Sequence, residues 1–238
     1  MRTRSAALAA LCMATLLLSA CGKTSEGEPV ADDGATVAAS SSSADATTTT
    51  LTTRAIPTPE ADLTEPGVVP TTRTDVAPGS VTCAGPEPAQ EGVTATVADP
   101  AAPKITVLLP QGWSTEPGEG DVGAKLTGPE GVWATVTIAK TTLDPAAAFK
   151  QYADDAMAAS AVSSVSVLPA DLCGYSGQKL LGSWADTAEQ AVEFGDRVAH
   201  VWTNSGDYLV AVHVQGPSGA GFDPFTSPMM DDFVIEIP

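Results

Sequence analysis

The chain has 238 residues and a formal net charge of -18, with 29 acidic residues against 11 lysines and arginines. Nucleic-acid binding requires a basic patch on the protein surface, so this charge balance excludes nucleic acid as an expected partner. Direct binding to anionic lipid headgroups is disfavoured for the same reason. A basic partner, a sugar-rich ligand or an apolar ligand remains compatible with the composition.

The N-terminus has the pattern of a bacterial export signal. Arg2 and Arg4 precede an apolar run at residues 6–20, which is shorter than the roughly 20 residues that a membrane-spanning helix requires. A basic start, a short apolar segment and small residues at its end are typical of a secretory signal peptide. We therefore expect residues 1–20 to be removed, which takes the net charge from -18 to -20 because both arginines leave.

The end of this signal resembles the lipobox of bacterial lipoproteins. Leu18, Ser19 and Ala20 precede Cys21, and in a lipobox the cysteine is acylated and becomes the first mature residue. Two or more acyl chains anchor a protein stably to a bilayer. The resemblance therefore implies a lipoprotein anchored through Cys21 at the extracytoplasmic face of the cell membrane. An ordinary secreted protein is the alternative.

A low-complexity segment follows the predicted anchor. Residues 21–80 are mostly Ala, Ser, Thr, Pro, Asp and Glu, with serines at 40–43 and threonines at 47–50. Too few large apolar side chains are present to offset the entropy of ordering the chain. The composition predicts a disordered stalk, and its Ser/Thr tracts with proline suit O-glycosylation. The folded part is expected to span residues 81–238, which is the size of one domain.

Within this domain, strand patterns surround two helix patterns. Alternating apolar residues and turn signals predict strands at residues 81–83, 92–98, 105–109, 122–127, 133–140, 165–171, 174–183, 191–204, 207–215 and 233–237. Asp144 and Pro145 have the pattern of a helix N-cap and first helical residue, and the helix is expected to end near residue 159. Its predicted apolar stripe is Ala148, Phe149, Tyr152, Ala156 and Met157. A second, short helix is predicted at residues 224–231.

The order of these elements indicates an α+β fold. Hairpins dominate, and the regular alternation of strand and helix that a parallel sheet requires is missing. We therefore expect one antiparallel β-sheet packed with two helices. The long hairpin at residues 191–215 is expected to turn at Ser205 and Gly206.

Four segments of the domain are similar to the LpqN/LpqT family of actinobacterial lipoproteins. They are LPQGW at 109–113, DPAAAFKQYADDAM at 144–157, GDYLVAVHVQ at 206–215 and DFVIEI at 232–237. The resemblance extends over residues 102–238. It implies a Mog1/PsbP-like fold and a role in the cell envelope, without identifying a ligand.

The cysteine count favours one disulfide. Cys12 leaves with the signal and Cys21 is predicted to be acylated, which leaves Cys83 and Cys173. An exported chain meets an oxidising compartment, so a disulfide between these two is the simplest prediction, with free buried thiols as the alternative. No zinc site is expected, because two cysteines lack the further ligands that zinc requires.

Known catalytic motifs are incomplete in this sequence. Residues 216–220 differ from the G-x-S-x-G pattern of serine hydrolases at the last position, so Ser218 is interpreted as part of a turn. Residues 176–179 match S-x-x-K, but neither S-D-N nor K-T-G follows. We therefore predict no catalytic residue, no metal and no cofactor.

Both histidines, His200 and His213, lie in the long predicted hairpin. With the turn given above, His200 lies opposite Ala211 and His213 lies opposite Val198. Both imidazoles then share one face of the sheet, with Cα atoms about 7 to 8 Å apart. Half-buried strand histidines are the ordinary interpretation.

A functional interpretation of the same face is a metal site or a proton relay. Its carboxylate would be a residue such as Asp196 or Asp207, in a cleft beside an imidazole. A structure that packs the two histidines apart would contradict an enzyme that uses this face.

The tryptophans define a second candidate surface. In the same register Trp202 shares the face of the histidines, while the opposite face carries valine and alanine and is expected to be core. Trp133 and Trp184 lie in other predicted strands. Core packing explains each tryptophan, and a groove for an apolar or carbohydrate ligand between sheet and helix is the alternative.

Three classes of function remain open. The lipobox, the stalk, the incomplete catalytic motifs and the family resemblance favour a non-enzymatic, lipid-anchored envelope lipoprotein. Such a protein would bind an envelope lipid or glycolipid or dock a membrane protein, with its membrane contact through Cys21. The alternatives are an uncharacterised hydrolase that uses the face of His200 and His213, and a purely structural surface module. The sequence does not identify ligand-binding residues.

Overall fold

The computed structural model describes residues 65–85, 92–187, 190–221, 223–224 and 226–238. These residues belong to a single unit, Thr58–Pro238. The predicted signal peptide, the lipid attachment at Cys21 and the predicted stalk up to residue 64 lie outside the described residues. In the ranges that are described, no helix is long and apolar enough to cross a membrane.

Among the described residues, the larger of two antiparallel sheets has seven strands. In order across the sheet they are β4 (Ser114–Pro117), β5 (Val122–Thr127), β6 (Trp133–Thr141), β10 (Gly206–Pro217), β9 (Val192–Thr203), β8 (Ser176–Ala185) and β7 (Val162–Pro169). The smaller sheet has four strands, in the order β1 (Val81–Cys83), β11 (Val234–Glu236), β3 (Lys104–Leu108) and β2 (Gly92–Ala95). The antiparallel α+β architecture agrees with the prediction, but the single predicted sheet is two.

Helix α1 (Pro145–Ala158) covers one face of the larger sheet. It begins as predicted, because a carboxylate oxygen of Asp144 accepts a hydrogen bond from the backbone N–H of Ala147 at 2.9 Å. Its buried residues are Ala148, Phe149 and Ala153. Phe149 and Ala153 pack on the sheet residues Leu180, Val198 and Ala211. Met157 was predicted in the apolar stripe, but it is 46% exposed.

The opposite face of the larger sheet packs on the smaller sheet. Val201, Val210 and Val212 from the long hairpin form one core with Ile105 and Ile235 of the smaller sheet. The central strands are therefore covered on both faces, which explains why apolar residues occur on both faces of the long hairpin. The valine and alanine face of the hairpin is core, as the sequence predicts.

The second predicted helix is not formed. Within the described residues 223–224 and 226–231, the regular structure is one 3₁₀ turn, Pro228–Met230. Pro228 lacks a backbone N–H and its ring clashes with the preceding turn, so a helix cannot continue through it from residue 224. The turn instead buries Met229 and Met230 between the sheets.

The long hairpin turns one residue earlier than predicted. Thr203 pairs with Gly206, so Asn204 and Ser205 form the turn instead of Ser205 and Gly206. The amide group of Asn204 accepts from the backbone N–H of Val76 at 3.0 Å and donates to its carbonyl at 2.7 Å. A contact with a distant segment thus fixes the turn, which local turn chemistry alone did not predict.

Residues 65–80 lie against the domain, although the sequence places them in the stalk. The hydroxyl of Ser176 accepts from Val69 N–H at 3.0 Å and donates to the Val69 carbonyl at 3.1 Å. Arg73 forms an ion pair with Asp207 at 2.9 Å. We call residues 65–76 the strap. Contacts with the domain therefore begin before the boundary expected at residue 81.

A disulfide joins Cys83 to Cys173, with Cα atoms 5.5 Å apart. Cys83 ends the edge strand β1 of the smaller sheet, and Cys173 lies in the turn between β7 and β8 of the larger sheet. The bond therefore connects the two layers.

Candidate ligand groove

A groove lies between the second half of helix α1 and the larger sheet. Its volume is about 350 Å³. It is lined by Tyr152, Asp155, Ala156, Ala159, Trp184, Phe194, Asp196, His213 and Gln215. The sheet residues alternate along β8, β9 and β10 and therefore point to the same face as α1. The groove thus has apolar walls around a small polar floor.

Asp196 is the centre of this floor. Its side chain is 1% exposed, so its carboxylate requires partners to offset the cost of leaving water. One carboxylate oxygen contacts His213 Nδ1 at 2.6 Å and accepts from the Tyr152 hydroxyl at 3.1 Å. Asp196 and His213 are direct cross-strand partners in β9 and β10, so sheet register creates the pair.

His213 has an acceptor at each ring nitrogen. Nδ1 faces the carboxylate of Asp196, and Nε2 lies 3.0 Å from the side-chain oxygen of Gln215. When His213 is protonated, both ring nitrogens donate to these acceptors. Burial lowers the pKa of His213. The hydrogen bond and charge of Asp196, together with the contact with Gln215, raise it by more than burial lowers it. The pKa therefore lies above the ordinary value of 6.5.

Aromatic rings hold the imidazole in place. The ring centroid of His213 lies 5.3 Å from that of Trp133 and 5.9 Å from that of Phe194. Tyr152 approaches from α1, and burial together with the nearby charge of Asp196 raises its pKa well above 10.0. Its hydroxyl is therefore a neutral donor at physiological pH.

The two histidines share one face of the sheet, as predicted, but they are far apart. In the observed register His200 lies opposite Leu209, and His213 lies four residues further along β10, which corresponds to about 13 Å. His200 is buried, and its Nε2 lies 3.0 Å from the carbonyl oxygen of Leu143. The predicted separation of about 7 to 8 Å between the two Cα atoms is wrong, because the turn begins one residue earlier.

The other candidates from the sequence are distributed over the domain. Asp207 pairs with Arg73 of the strap and Trp202 lies opposite Asp207, away from the groove. Ser218 lies in a turn that lines a neighbouring cavity of about 550 Å³. Trp184 lines both cavities. In the described part of the chain, no group of three or more metal-ligating side chains is present.

Several groove residues were not identified as a set from the sequence. Phe194 and Gln215 received no role, and Asp196 was named only as a possible neighbour of a histidine. The signal that was present is the charged Asp196 in the middle of the long strand β9, which also carries Glu193 and Arg197. A buried carboxylate needs partners, but only the register of β9 against β10 identifies them.

Comparisons with known proteins leave the family open. No protein-family model matches the chain, and no curated protein matches it. One similar solved structure is LpqN of Mycobacterium tuberculosis, described as involved in cell envelope biogenesis. The identity is 14%, the TM-score is 0.47, and the match covers 62% of this chain and 91% of that chain. Membership of the LpqN/LpqT family therefore stays a prediction from the sequence motifs.

Proposed function

We propose that this protein is a non-enzymatic, lipid-anchored envelope lipoprotein whose domain binds the apolar part of an envelope lipid or glycolipid in the groove under α1. The observation that carries the proposal is the groove itself. Its volume of about 350 Å³ falls within the usual range of about 300 to 1,000 Å³ for small-molecule sites, and apolar walls with a few polar groups are typical of them.

The chemistry of the polar floor supports binding over catalysis. A general base needs a free nitrogen lone pair directed at the substrate, but both nitrogens of His213 face acceptors. The Tyr152 hydroxyl donates a hydrogen bond to Asp196. The polar groups of the floor therefore form hydrogen bonds with one another, and the apolar walls of the groove are available to an apolar ligand.

The hydrolase alternative has one observation in its favour. A carboxylate, Asp196, lies 2.6 Å from an imidazole in a cleft, as that hypothesis requires. However, none of the described residues that line the groove is a serine or cysteine, and Ser218 lines the neighbouring cavity. The relay between His200 and His213 also lacks the required proximity. A purely structural module would not need a groove, so the groove favours a binding role.

The test is native mass spectrometry of the full-length lipoprotein purified from its own host. We expect the protein without substitutions to carry a bound molecule, an adduct seen as a discrete increase in mass that is lost on denaturation. Ala156→Trp places an indole in the groove and is expected to remove the adduct. Ala147→Trp, on the exposed side of the same helix, is the matched control and should keep it, as should Ser218→Ala.

Each contrary result has a defined meaning. An unmodified protein without an adduct would contradict ligand binding and favour docking to a membrane protein. An adduct that persists in Ala156→Trp would place the ligand outside the groove. Loss of a substrate-cleaving activity in folded Ser218→Ala would contradict the non-enzymatic role.

A further inference from the structure

The two edges of the larger sheet have opposite character. At one edge, β4 has four residues and carries Glu116 and Pro117, and both a charge and a proline discourage pairing with another strand. At the other edge, β7 has eight residues, Val162–Pro169, with the sequence VSSVSVLP. It contains no charged side chain, and its only proline is the last residue. The devices that protect natural sheet edges are therefore present at β4 and missing along β7.

The outer side of β7 is accessible. Among the described strands, β7 pairs with β8 alone. Val162 is 67% exposed and Leu168 is 45% exposed, and both lie on the face away from α1, because Val165 and Val167 pack towards the helix. An extended backbone edge is thus flanked by two exposed apolar side chains, which is a combination that favours strand addition.

We propose that β7 pairs with β7 of a second copy of this chain, in antiparallel orientation, to form a continuous sheet through both copies. A two-fold axis at Val165 places Val162 opposite Leu168 of the other copy, and Ser164 opposite Ser166. The dimer then contains two symmetry-related pairs, each formed by Val162 of one copy and Leu168 of the other. This self-complementarity is what a symmetric dimer interface requires.

The charge distribution favours a second copy over a foreign strand. The chain has a net charge of -18, which opposes association of two copies, and an edge strand without charged side chains is where this repulsion is weakest. A foreign partner selected by an acidic protein would bring basic side chains, but β7 has no carboxylate to pair with them. The uncharged edge therefore fits an identical uncharged edge.

The test uses two full-length copies with different epitope tags, expressed together in the protein's own host. One copy carries Ser164→Cys and the other carries Ser166→Cys, which the proposed register places opposite each other. We expect a disulfide-linked species of twice the chain mass that carries both tags and disappears on reduction. Copies with Ser114→Cys and Glu116→Cys, at the same spacing on β4, are the matched control and should give none.

Charge substitutions then test the register. Val162→Lys combined with Leu168→Lys in both copies puts lysine opposite lysine, and we expect at least a tenfold loss of the cross-linked species. Val162→Lys combined with Leu168→Glu puts opposite charges together and should retain it.

Three results would overturn the proposal. The first is cross-linking no stronger than that of the β4 control. The second is equal cross-linking in the lysine–lysine and lysine–glutamate variants. The third is a cross-linked species whose mass identifies a different protein, which would show that β7 docks a foreign strand.

Discussion

Asp196 shows how one buried residue organises the groove. Its carboxylate is almost fully buried and contacts both the imidazole of His213 and the hydroxyl of Tyr152. His213 on β10 and Tyr152 on α1 thus contact the same carboxylate oxygen of Asp196 on β9. The arrangement of the floor therefore depends on the carboxylate of Asp196.

Asp196→Asn is expected to lower the pKa of His213. The carboxylate supplies the hydrogen bond and the charge that raise this pKa, so burial, which lowers it, remains as the stronger effect in the variant. We also expect a loss of about 1.5 to 3 kcal/mol in the free energy of unfolding, as for hydrogen bonds to charged groups. An NMR titration of the His213 imidazole gives the first quantity and urea denaturation gives the second. Asp155→Asn in the same groove is the control; equal effects in both variants would contradict the role of Asp196.

The contribution of His213 to stability depends on pH. Its pKa in the folded state is raised above 6.5, so the folded protein binds the proton more tightly than the unfolded chain does. This contribution is complete below about pH 6.5 and is lost as the pH rises through the raised pKa of the folded state. The difference in unfolding free energy between the unmodified protein and His213→Gln should therefore be larger near pH 6 than near pH 9. A difference that is constant or grows with pH would show that the imidazole is neutral.

At the scale of elements, the strap covers the part of the α1 face of the larger sheet that the helix itself does not reach. Ser176 and Gln178 are fully buried polar residues on this face, and their partners belong to the strap. Gln178 donates to the carboxylate of Glu65 at 3.0 Å and to the carbonyl of Pro66 at 2.8 Å. The strap therefore both covers these side chains and supplies their hydrogen-bond partners, so it is part of the fold.

Ser176→Ala should destabilise the domain by about 1 to 3 kcal/mol, because the backbone groups of Val69 would lose their partner while still shielded from water. Ser114→Ala on the exposed strand β4 is the matched control, with an expected change of less than about 0.5 kcal/mol. Urea denaturation measures both. Similar stability of the two variants would show that the strap does not depend on Ser176.

At the scale of the whole molecule, the disulfide is the covalent link between the two sheet layers. Cys83 and Cys173 are 90 residues apart in sequence, so the bond restricts a large part of the unfolded chain. In the chain-entropy description, closing a loop of this length stabilises a fold by about 4 to 5 kcal/mol.

Replacing both cysteines by alanine should therefore lower the free energy of unfolding by about 4 to 5 kcal/mol, as measured by urea denaturation. Reduction of the unmodified protein should give a similar loss, whereas reduction of the double variant should change nothing. Thiol labelling of the denatured, unreduced mature protein should modify neither Cys83 nor Cys173. Quantitative labelling would contradict the bond.

Much of the fold follows from the sequence because its signals are local. Asp144 followed by Pro145 predicts the start of α1, since a cap and a preset φ angle act within one turn. Alternation of apolar residues predicts most strands, and it correctly assigns the valines of the long hairpin to the core. β4 was missed because its four residues are all exposed and carry no apolar alternation.

Sequence patterns alone establish the strand-rich antiparallel order, one long helix and the two cysteines available for a disulfide. They also predict the lipid anchor at Cys21, which lies outside the described residues. Which residues meet depends on long-range contacts that appear only in the folded domain. The contact of Asn204 with Val76 selects the turn, and the turn sets the offset of β9 against β10. An offset of two positions keeps every side chain on its face, so the periodic pattern is unchanged. The offset nevertheless changes the cross-strand partner of His213 from the predicted Val198 to Asp196. The pair of Asp196 and His213 forms the floor of the groove.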